Sequence, residues 1–454
     1  MGCETSSRNA TGPAPAIAPG GGRRAPAGEL DPRRVAEGLV EQFGEGGMDP
    51  RVRELVPGFD APFFQAGLAG YSDAAMRIVA RRHGCPFCVT EALLDRALLG
   101  GGKGFVKADL GDVADNVPGG DEDHPLAGQI MGSEPAEMAA AAVKMVEQAR
   151  REAVAYRDIA YTEPVPFMAK PVKERLRELP EHDLDAHARL ETSEQTFATI
   201  DVNLACPVKK ISSKARGGHW LREPEGAIRI LEAVREALPP EIAVTVKMRR
   251  AFDETPEMRE NFLKIFDAAY DMGCAWVTVH GRTVEQKYVG PSRWDPIREL
   301  VERSPERVIF GSGDVWTWAD IFRMVGYTGV SGASVARGCI GNPWIFRQAR
   351  DVLEGRPPRL PSVLEQKQVL LEHFELAVAV NERWVRGKTA AVKHERAERF
   401  TGKTMRKFGI RFAEHHPRGD EVRKSFIRVD TLDDWRGVLE EWYGEGHEDR
   451  VETA

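Results

Sequence analysis

The chain has 454 residues, 42% of them hydrophobic and 29% charged, with a formal net charge of −7, enough to bury a full-sized core plus one smaller domain. That acidic balance argues against indiscriminate nucleic-acid binding, and six scattered cysteines, mostly inside apolar runs, fit free thiols in a reducing compartment better than a disulfide framework. With no run of about 18 apolar residues and no basic-then-apolar leader pattern, neither a membrane span nor secretion is indicated, and the cytoplasm is the expected location.

Residues 1–58 are rich in Ala, Gly and Pro and read as a disordered, solvated extension. Their opening, MGCETS, formally matches a myristoylation pattern with Cys3 as a second acylation position, but the solvated tail is the preferred reading. Strand-like apolar runs then recur at Phe63 to Ala66, Phe87 to Thr90, Leu126 to Met131, Phe197 to Leu204, Ile242 to Met248, Trp276 to His280, Arg307 to Phe310 and Gly329 to Val335. Helical patterns separate most of them, among them Asp73 to Arg82, Pro135 to Gln148, Pro224 to Ala237 and Met258 to Met272. Eight strand-helix units predict an α/β chain folded as a (β/α)8 TIM barrel over residues 59–355, with the active site at the C-terminal strand ends. A doubly wound sheet would need a switch point and usually a Gly-rich first turn, and neither is present. Residues 151–195 are too long for an ordinary connection and read as a surface insertion. From Pro361 the strands stop, and a smaller helical domain is expected over 361–445. Between Glu382 and Arg428 there are fourteen Lys/Arg against six Asp/Glu, a local excess of eight positive charges.

Polar residues cluster at the strand ends. Cys206, followed by Pro207 and preceded by Asn203, closes the fourth run; a lone cysteine is more often a small core residue, but this one is aimed at the barrel mouth. Lys209, Lys210, Lys214 and Arg216 follow, and the lysines could either lower the thiol pKa or bind a polyanion. Cys85 and Cys88 form a CPFC pair that reads as buried packing, so no metal site is expected. Lys247 ends IAVTVKMR near the barrel axis, where a lysine needs an anion or electron-rich acceptor; a rim salt bridge and a Schiff-base aldolase are the competing readings. Glycine-rich turns after strands seven and eight, GSGDV and ARG, can surround a phosphate, with His280 and Arg337 beside them.

The ordered set AGLAGYSD, QIMGS, DVNLACPVKK, VTVKMR, VHGRT, GSGDV and ARGCIGNPWIF resembles the tRNA-dihydrouridine synthases, from about Phe63 to Gln348 and more weakly through MRKFGIRFAEHHPRGDEVRKSFIRVDTLDDW. The resemblance implies a flavoenzyme using FMN, re-reduced by NADPH (or NADH), that reduces uridines in tRNA to dihydrouridine, with Cys206 protonating C5. It implies that Gly67, Leu68 and Ala69 line the isoalloxazine, Gln129 bonds its pyrimidine edge, Asn203 positions flavin or uracil, and Lys247 stabilises charge near N1 and O2. His280, Ser312, Gly313, Asp314, Ala336 and Arg337 would hold the phosphate. Expected RNA contacts are Lys209, Lys210, Lys214, Arg216, Arg282, Arg406, Lys407 and Arg418, the last three in the helical tRNA-binding domain; no membrane or obligatory protein partner is implied. The chain departs from the family pattern at Gly67 (usually proline), Ala205 (glycine), Ser312 (asparagine) and Ala336 (glycine), and alanine restricts backbone angles open to glycine. Reduction of a free pyrimidine or small enone, and a catalytically retired RNA-binding module, are the alternative functions.

Overall fold

The structure, a computed structural model, describes residues 30–99, 121–149, 153–155, 189–191, 197–208, 211, 216–382, 385 and 387–444. Barrel strands are numbered β1 Phe63–Gln65, β2 Cys88–Val89, β3 Leu126–Met131, β4 Thr199–Leu204, β5 Ala243–Arg249, β6 Trp276–His280, β7 Ile309–Ser312 and β8 Gly332–Val335. Each pairs in parallel with the next, and β8 pairs back onto β1, so the sheet closes into a barrel. Leu93–Leu94 adds a short parallel rung beside Ile130 and Met131.

Alternation along the strands sorts side chains into two cores. Val244, Val246 and Met248 of β5 and Val277 and Val279 of β6 join the large cluster that includes surrounding helix residues such as Ile230, Ile265 and Phe266. Phe64, Phe87, Trp276 and Phe310 belong to a separate cluster filling the barrel interior, where Phe59 stacks on Phe87 at 4.7 Å and on Phe310 at 5.6 Å between centroids. Among the described residues this aromatic plug fills the barrel below the polar layer, which leaves the C-terminal strand ends as the place for a ligand.

Helices are numbered α1 Pro32–Phe43, α2 Ala74–Arg82, α3 Pro135–Ala149, α4 Pro224–Ala237, α5 Pro256–Asp271, α6 Asp295–Arg303, α7 Trp318–Thr328, α8 Trp344–Leu353, α9 Val363–Glu382, α10 Ala390–Phe412, α11 Gly419–Ile427 and α12 Leu432–Trp442, single turns left unnumbered. The expected tail reaching residue 58 is corrected here: residues 1–29 lie outside the described residues, but 30–58 are folded. Asp31 caps α1 by accepting from the Arg33 amide with Pro32 in the first turn, and Asp49 caps Pro50–Leu55 in the same way. α1 packs on α7, while Met48, Val52 and Val56 join the barrel-interior cluster. Of the 151–195 segment, Ala153–Ala155 and Arg189–Glu191 pair antiparallel and the rest lies outside the described residues.

Beyond residue 361, α9 lies between α2 of the barrel and α10, which is why it is buried around most of its circumference instead of showing one apolar stripe. His373 of α9 sits against the Phe408 ring at 4.4 Å, and neither ring nitrogen has a hydrogen-bond partner among the described residues. Burial, with the Lys407 charge nearby, pulls its pKa from 6.5 to about 3. The unfolded chain then takes up a proton that the folded chain refuses between those values, so stability is complete above pH 6.5 and is lost as pH falls toward 3. His373→Leu should remove this dependence: the loss of unfolding free energy between pH 7 and pH 5, read by urea titration, should be smaller than wild type's by about 2 kcal/mol. Equal losses in the two proteins would refute this assignment.

Candidate active site

Asp201, in the middle of β4 and facing into the barrel, starts a chain of oriented polar groups. Its Oδ1 accepts from the Thr245 hydroxyl at 2.7 Å and its Oδ2 from Gln129 Nε2 at 2.7 Å. Gln129 Oε1 therefore faces Asn203 Nδ2, which donates to it at 2.8 Å. Asn203 Oδ1 is left to accept the backbone amides of Ala205 and Cys206, at 2.9 and 3.1 Å. A carboxylate can only accept when ionised, so it fixes which way both amides point, and through them the turn that carries Cys206. Burial pushes the Asp201 carboxyl up against those two hydrogen bonds and the Lys247 charge, which pull it down.

Cys206 is half-buried against Ala92, Met131 and Ile211. Burial pushes its thiol above the ordinary value, outweighing the Val208 amide and the Arg249 charge, so the group is an S–H at neutral pH. Lys209, Lys210 and Lys214, which could have shifted it the other way, lie outside the described residues. Gly217, at φ +56°, passes so close that a Cβ there would lie 2.8 Å from the Cys206 Cβ, and the Gly218 amide donates to the Cys206 carbonyl at 3.0 Å. Arg249 completes the loop: its guanidinium donates to the carbonyls of Ala205, Thr283 and Lys287 at 3.0, 2.7 and 2.7 Å.

Lys247 reaches the same layer in register with Asn203. No hydrogen bond or ion pair holds its ammonium among the described residues; burial pulls its pKa down while Asp201 opposes the shift. A small cavity lined by Gly67, Gln129, Asp201, Thr245, Lys247 and Thr278 lies between this layer and the aromatic plug. At Gly67 a Cβ would stand 2.3 Å from the Thr90 carbonyl oxygen, so glycine there lets the first loop lie against β2. Leu68 is held by a hydrogen bond from its amide to Ser72 Oγ at 2.8 Å, and Gly70 by one to Glu91 Oε2 at 2.8 Å.

Across the mouth, His280 Nδ1 accepts the Arg282 amide at 3.1 Å. The ring is neutral, since burial and then Arg249, Lys247, Arg282 and Arg337 hold its pKa well below 6.5; its proton therefore sits on Nε2, a donor. Asp314 adopts φ +57° and is gripped by Arg282, with both carboxylate oxygens at 2.8 Å from Nη2, and by the Ser292 amide at 2.7 Å. The amides of Gly313, Asp314 and Ala336 have no acceptor among the described residues, and Ser292 Oγ, Ser312 Oγ, Ser334 Oγ and Arg282 Nη1 are buried without partners. A Cβ on Gly313 would meet Ser292 Oγ at 2.3 Å. Unfilled donors in a strand-end crease with surplus positive charge fit a phosphate ester. Neither Ala205 nor Ala336 is at positive φ, so neither position calls on the left-handed freedom of glycine.

Two expected RNA contacts are corrected. Arg282 is 3% exposed and committed to Asp314 and to the Gly290 carbonyl. Arg216 is 6% exposed, and its guanidinium pairs with the buried Asp95 at 3.2 Å, bracing the Cys206 loop. Both are internal struts. In the helical region Arg406 pairs with Asp430, and Arg418 covers the Trp442 ring at 4.6 Å while pairing with Glu421. Lys407 donates to the Gly70 carbonyl of the first barrel loop and lies over Tyr71 at 4.7 Å. It also belongs to a stripe at three- and four-residue spacing, Lys393, Arg396, Lys403, Lys407 and Arg411, with exposed Phe400 in its midst. That stripe ends beside the barrel, where Arg411 packs on Gly341, and its spacing was available in the sequence.

A family model described as dihydrouridine synthase matches residues 180–415, more than half of the chain. The chain belongs to the dihydrouridine synthase family. Among similar proteins, "tRNA-dihydrouridine synthase B" of Shewanella oneidensis is 35% identical over 193 residues, 42% of this chain and 58% of that protein. The "Probable tRNA-dihydrouridine synthase" of Treponema pallidum is 30% identical over 311 residues, 67% of this chain and 74% of that one. That of Mycobacterium leprae is 29% identical over 250 residues, 54% and 60%. The chain thus spans less than two thirds of the Shewanella and Mycobacterium synthases.

Proposed function

We propose that this chain reduces uridines of tRNA to 5,6-dihydrouridine, with FMN at the barrel mouth and NADPH (or NADH) as the electron source. The observation that carries this reading is Cys206: a half-buried thiol kept protonated by burial, on a loop fixed by Asn203 and Arg249 at the rim of a closed barrel. A bound reduced flavin supplies the hydride that adds to C6 of the uracil ring. The electron pair of the C5–C6 double bond is then released toward C5, and the Cys206 S–H delivers the proton there; the thiolate regains a proton from water. Lys247, whose ammonium has no hydrogen bond or ion pair among the described residues, would stabilise the anionic edge of the reduced flavin, and Gln129 and Asn203, each held in a single orientation, would lie beside it. The Gly313, Asp314 and Ala336 amides, His280 Nε2 and the Ser312 hydroxyl would hold the flavin phosphate. A uridine must leave its stack to reach the mouth, and the basic stripe of α10 suits the phosphates of the RNA that carries it.

The test uses the full chain with FMN, NADPH and tRNA transcribed without modifications. Dihydrouridine should appear in nucleoside digests by mass spectrometry, with one NADPH consumed per residue formed. A folded protein that takes up no flavin and leaves tRNA unchanged defeats the proposal.

A further inference from the structure

The loop after β6, residues 283–290, ends in a tip that burial cannot explain: Lys287, Tyr288, Val289 and Gly290 are all exposed, Tyr288 by 57% and Val289 by 77%. Two consecutive large apolar side chains in water are unfavourable, and so is Lys287 at φ +50°, a left-handed conformation that residues with a Cβ rarely adopt. The tip is nonetheless built firmly. Arg249 holds the Lys287 carbonyl at 2.7 Å, Arg282 holds the Gly290 carbonyl at 2.6 Å, and Gln286 Oε1 accepts the Thr283 amide at 2.8 Å.

Around the tip, rings and guanidinium groups alternate. Arg337 lies 5.3 Å from the Tyr288 centroid and 4.6 Å from that of Trp316, while Arg249 lies 5.7 Å from Tyr288. Trp316 is itself set by the α7 capping box, its amide donating to Asp320 at 3.1 Å. Exposed aromatic faces beside cations are what an unpaired base stacks on, whatever its identity. The tip is far smaller than the roughly 800 Å² per partner that a stable protein interface needs. Arg249 also ties it to Cys206, because one guanidinium bonds both the Ala205 and Lys287 carbonyls. Whatever rests on Tyr288 is therefore held in fixed register with a base beside the thiol.

From this geometry we infer that Tyr288 and Val289 form a stacking platform for the nucleobase adjacent to the extruded uridine, with Lys287 placed for its phosphate. The inference rests on the proposed uridine reduction and adds to it the contact that selects single-stranded context around the target.

The FMN-loaded full chain is compared with Tyr288→Ala and Tyr288→Trp on a tRNA transcript carrying 2-aminopurine beside the uridine that the wild-type protein reduces. Binding should quench the 2-aminopurine in the wild type and in Tyr288→Trp but not in Tyr288→Ala. Tyr288→Ala should raise KM for tRNA about ten- to hundred-fold, with flavin content and the rate of flavin reduction by NADPH unchanged. If Tyr288→Ala quenches as wild type and keeps its KM, the platform is refuted while uridine reduction stands. A slowed NADPH half-reaction with tRNA KM intact would place a nicotinamide nucleotide on Tyr288 and also refute it. If the wild type forms no dihydrouridine, both readings fall.

Discussion

Alanine at Cys206 is expected to lower dihydrouridine formation about 10²- to 10⁴-fold, the usual contribution of a positioned proton donor, while the protein keeps its flavin and still oxidises NADPH. The substitution removes only Sγ. The bonds that shape the loop are made by backbone atoms, the amides of residues 205 and 206 to Asn203 Oδ1 and the Gly218 amide to the residue 206 carbonyl, and alanine makes them equally well. The thiol packs on the apolar side chains of Ala92, Met131 and Ile211, and Arg249, whose charge reaches it, stays bonded to the carbonyls of Ala205, Thr283 and Lys287, so the substitution costs the loop only the contact of the Val208 amide with Sγ. Serine should not rescue the loss, because a hydroxyl is a far weaker acid than a thiol.

The sign of the pH dependence follows from the same surroundings. A proton donor works in its protonated form, and burial raises the Cys206 pKa above the ordinary thiol value. Single-turnover oxidation of pre-reduced wild-type protein by tRNA should therefore stay level through neutral pH. It should fall, tenfold per unit, only above the ordinary thiol range, and that alkaline limb should be absent from the residual activity of Cys206→Ala. Wild-type rates in the alanine variant would place the proton donor elsewhere.

The barrel was legible because its eight strands are apolar runs of strand length separated by helix-period segments, and burial on both faces makes such runs continuous. Their ends were less so: β7 runs on through Gly311 and Ser312, which have little intrinsic strand preference but pair with Val279, His280, Ala333 and Ser334. Cys206, Lys247 and His280 stood out as candidates because each is polar at the end of an apolar run. Asp201 was missed inside one, although it shares its strand face with Asn203, two residues on. Partnerships could not be read at all. Arg216 meets Asp95 across 121 positions and Arg282 meets Asp314 across 32, so sequence reports two positive charges where the folded chain has two neutralised struts. At the N-terminus the Ala, Gly and Pro content of the first residues obscured two Asp-Pro helix starts, Asp31-Pro32 and Asp49-Pro50, that capping rules would have recovered.

The second large effect is expected far from the thiol. Arg77 of α2 is fully buried, with Nε 3.1 Å from both Asp123 oxygens, Nη2 2.7 Å from Oδ2, and Nη1 donating to the Ser72 carbonyl at 2.8 Å. Arg77→Met should lower stability by about 3–5 kcal/mol, because it takes away the buried guanidinium that pairs with the Asp123 carboxylate at 2.7 Å; urea midpoints measure this. The ion pair also reaches the site. Ser72 Oγ accepts the Leu68 amide and the Ser72 amide donates to the Leu68 carbonyl, so Asp123, Arg77, Ser72 and Leu68 form one line of bonds ending in the loop proposed to line the flavin. The two roles separate in a double variant. Arg77→Met with Asp123→Leu removes both charges and should recover most of the lost stability, since apolar replacement of a buried pair is commonly neutral. It does not restore the donor to Ser72, so the 67–70 loop should stay loose and FMN should still dissociate more readily than from wild type. A double variant that regains both the urea midpoint and flavin retention would show that the loop needs no support from Arg77, and a single variant with the wild-type midpoint would refute the energetic role of the pair.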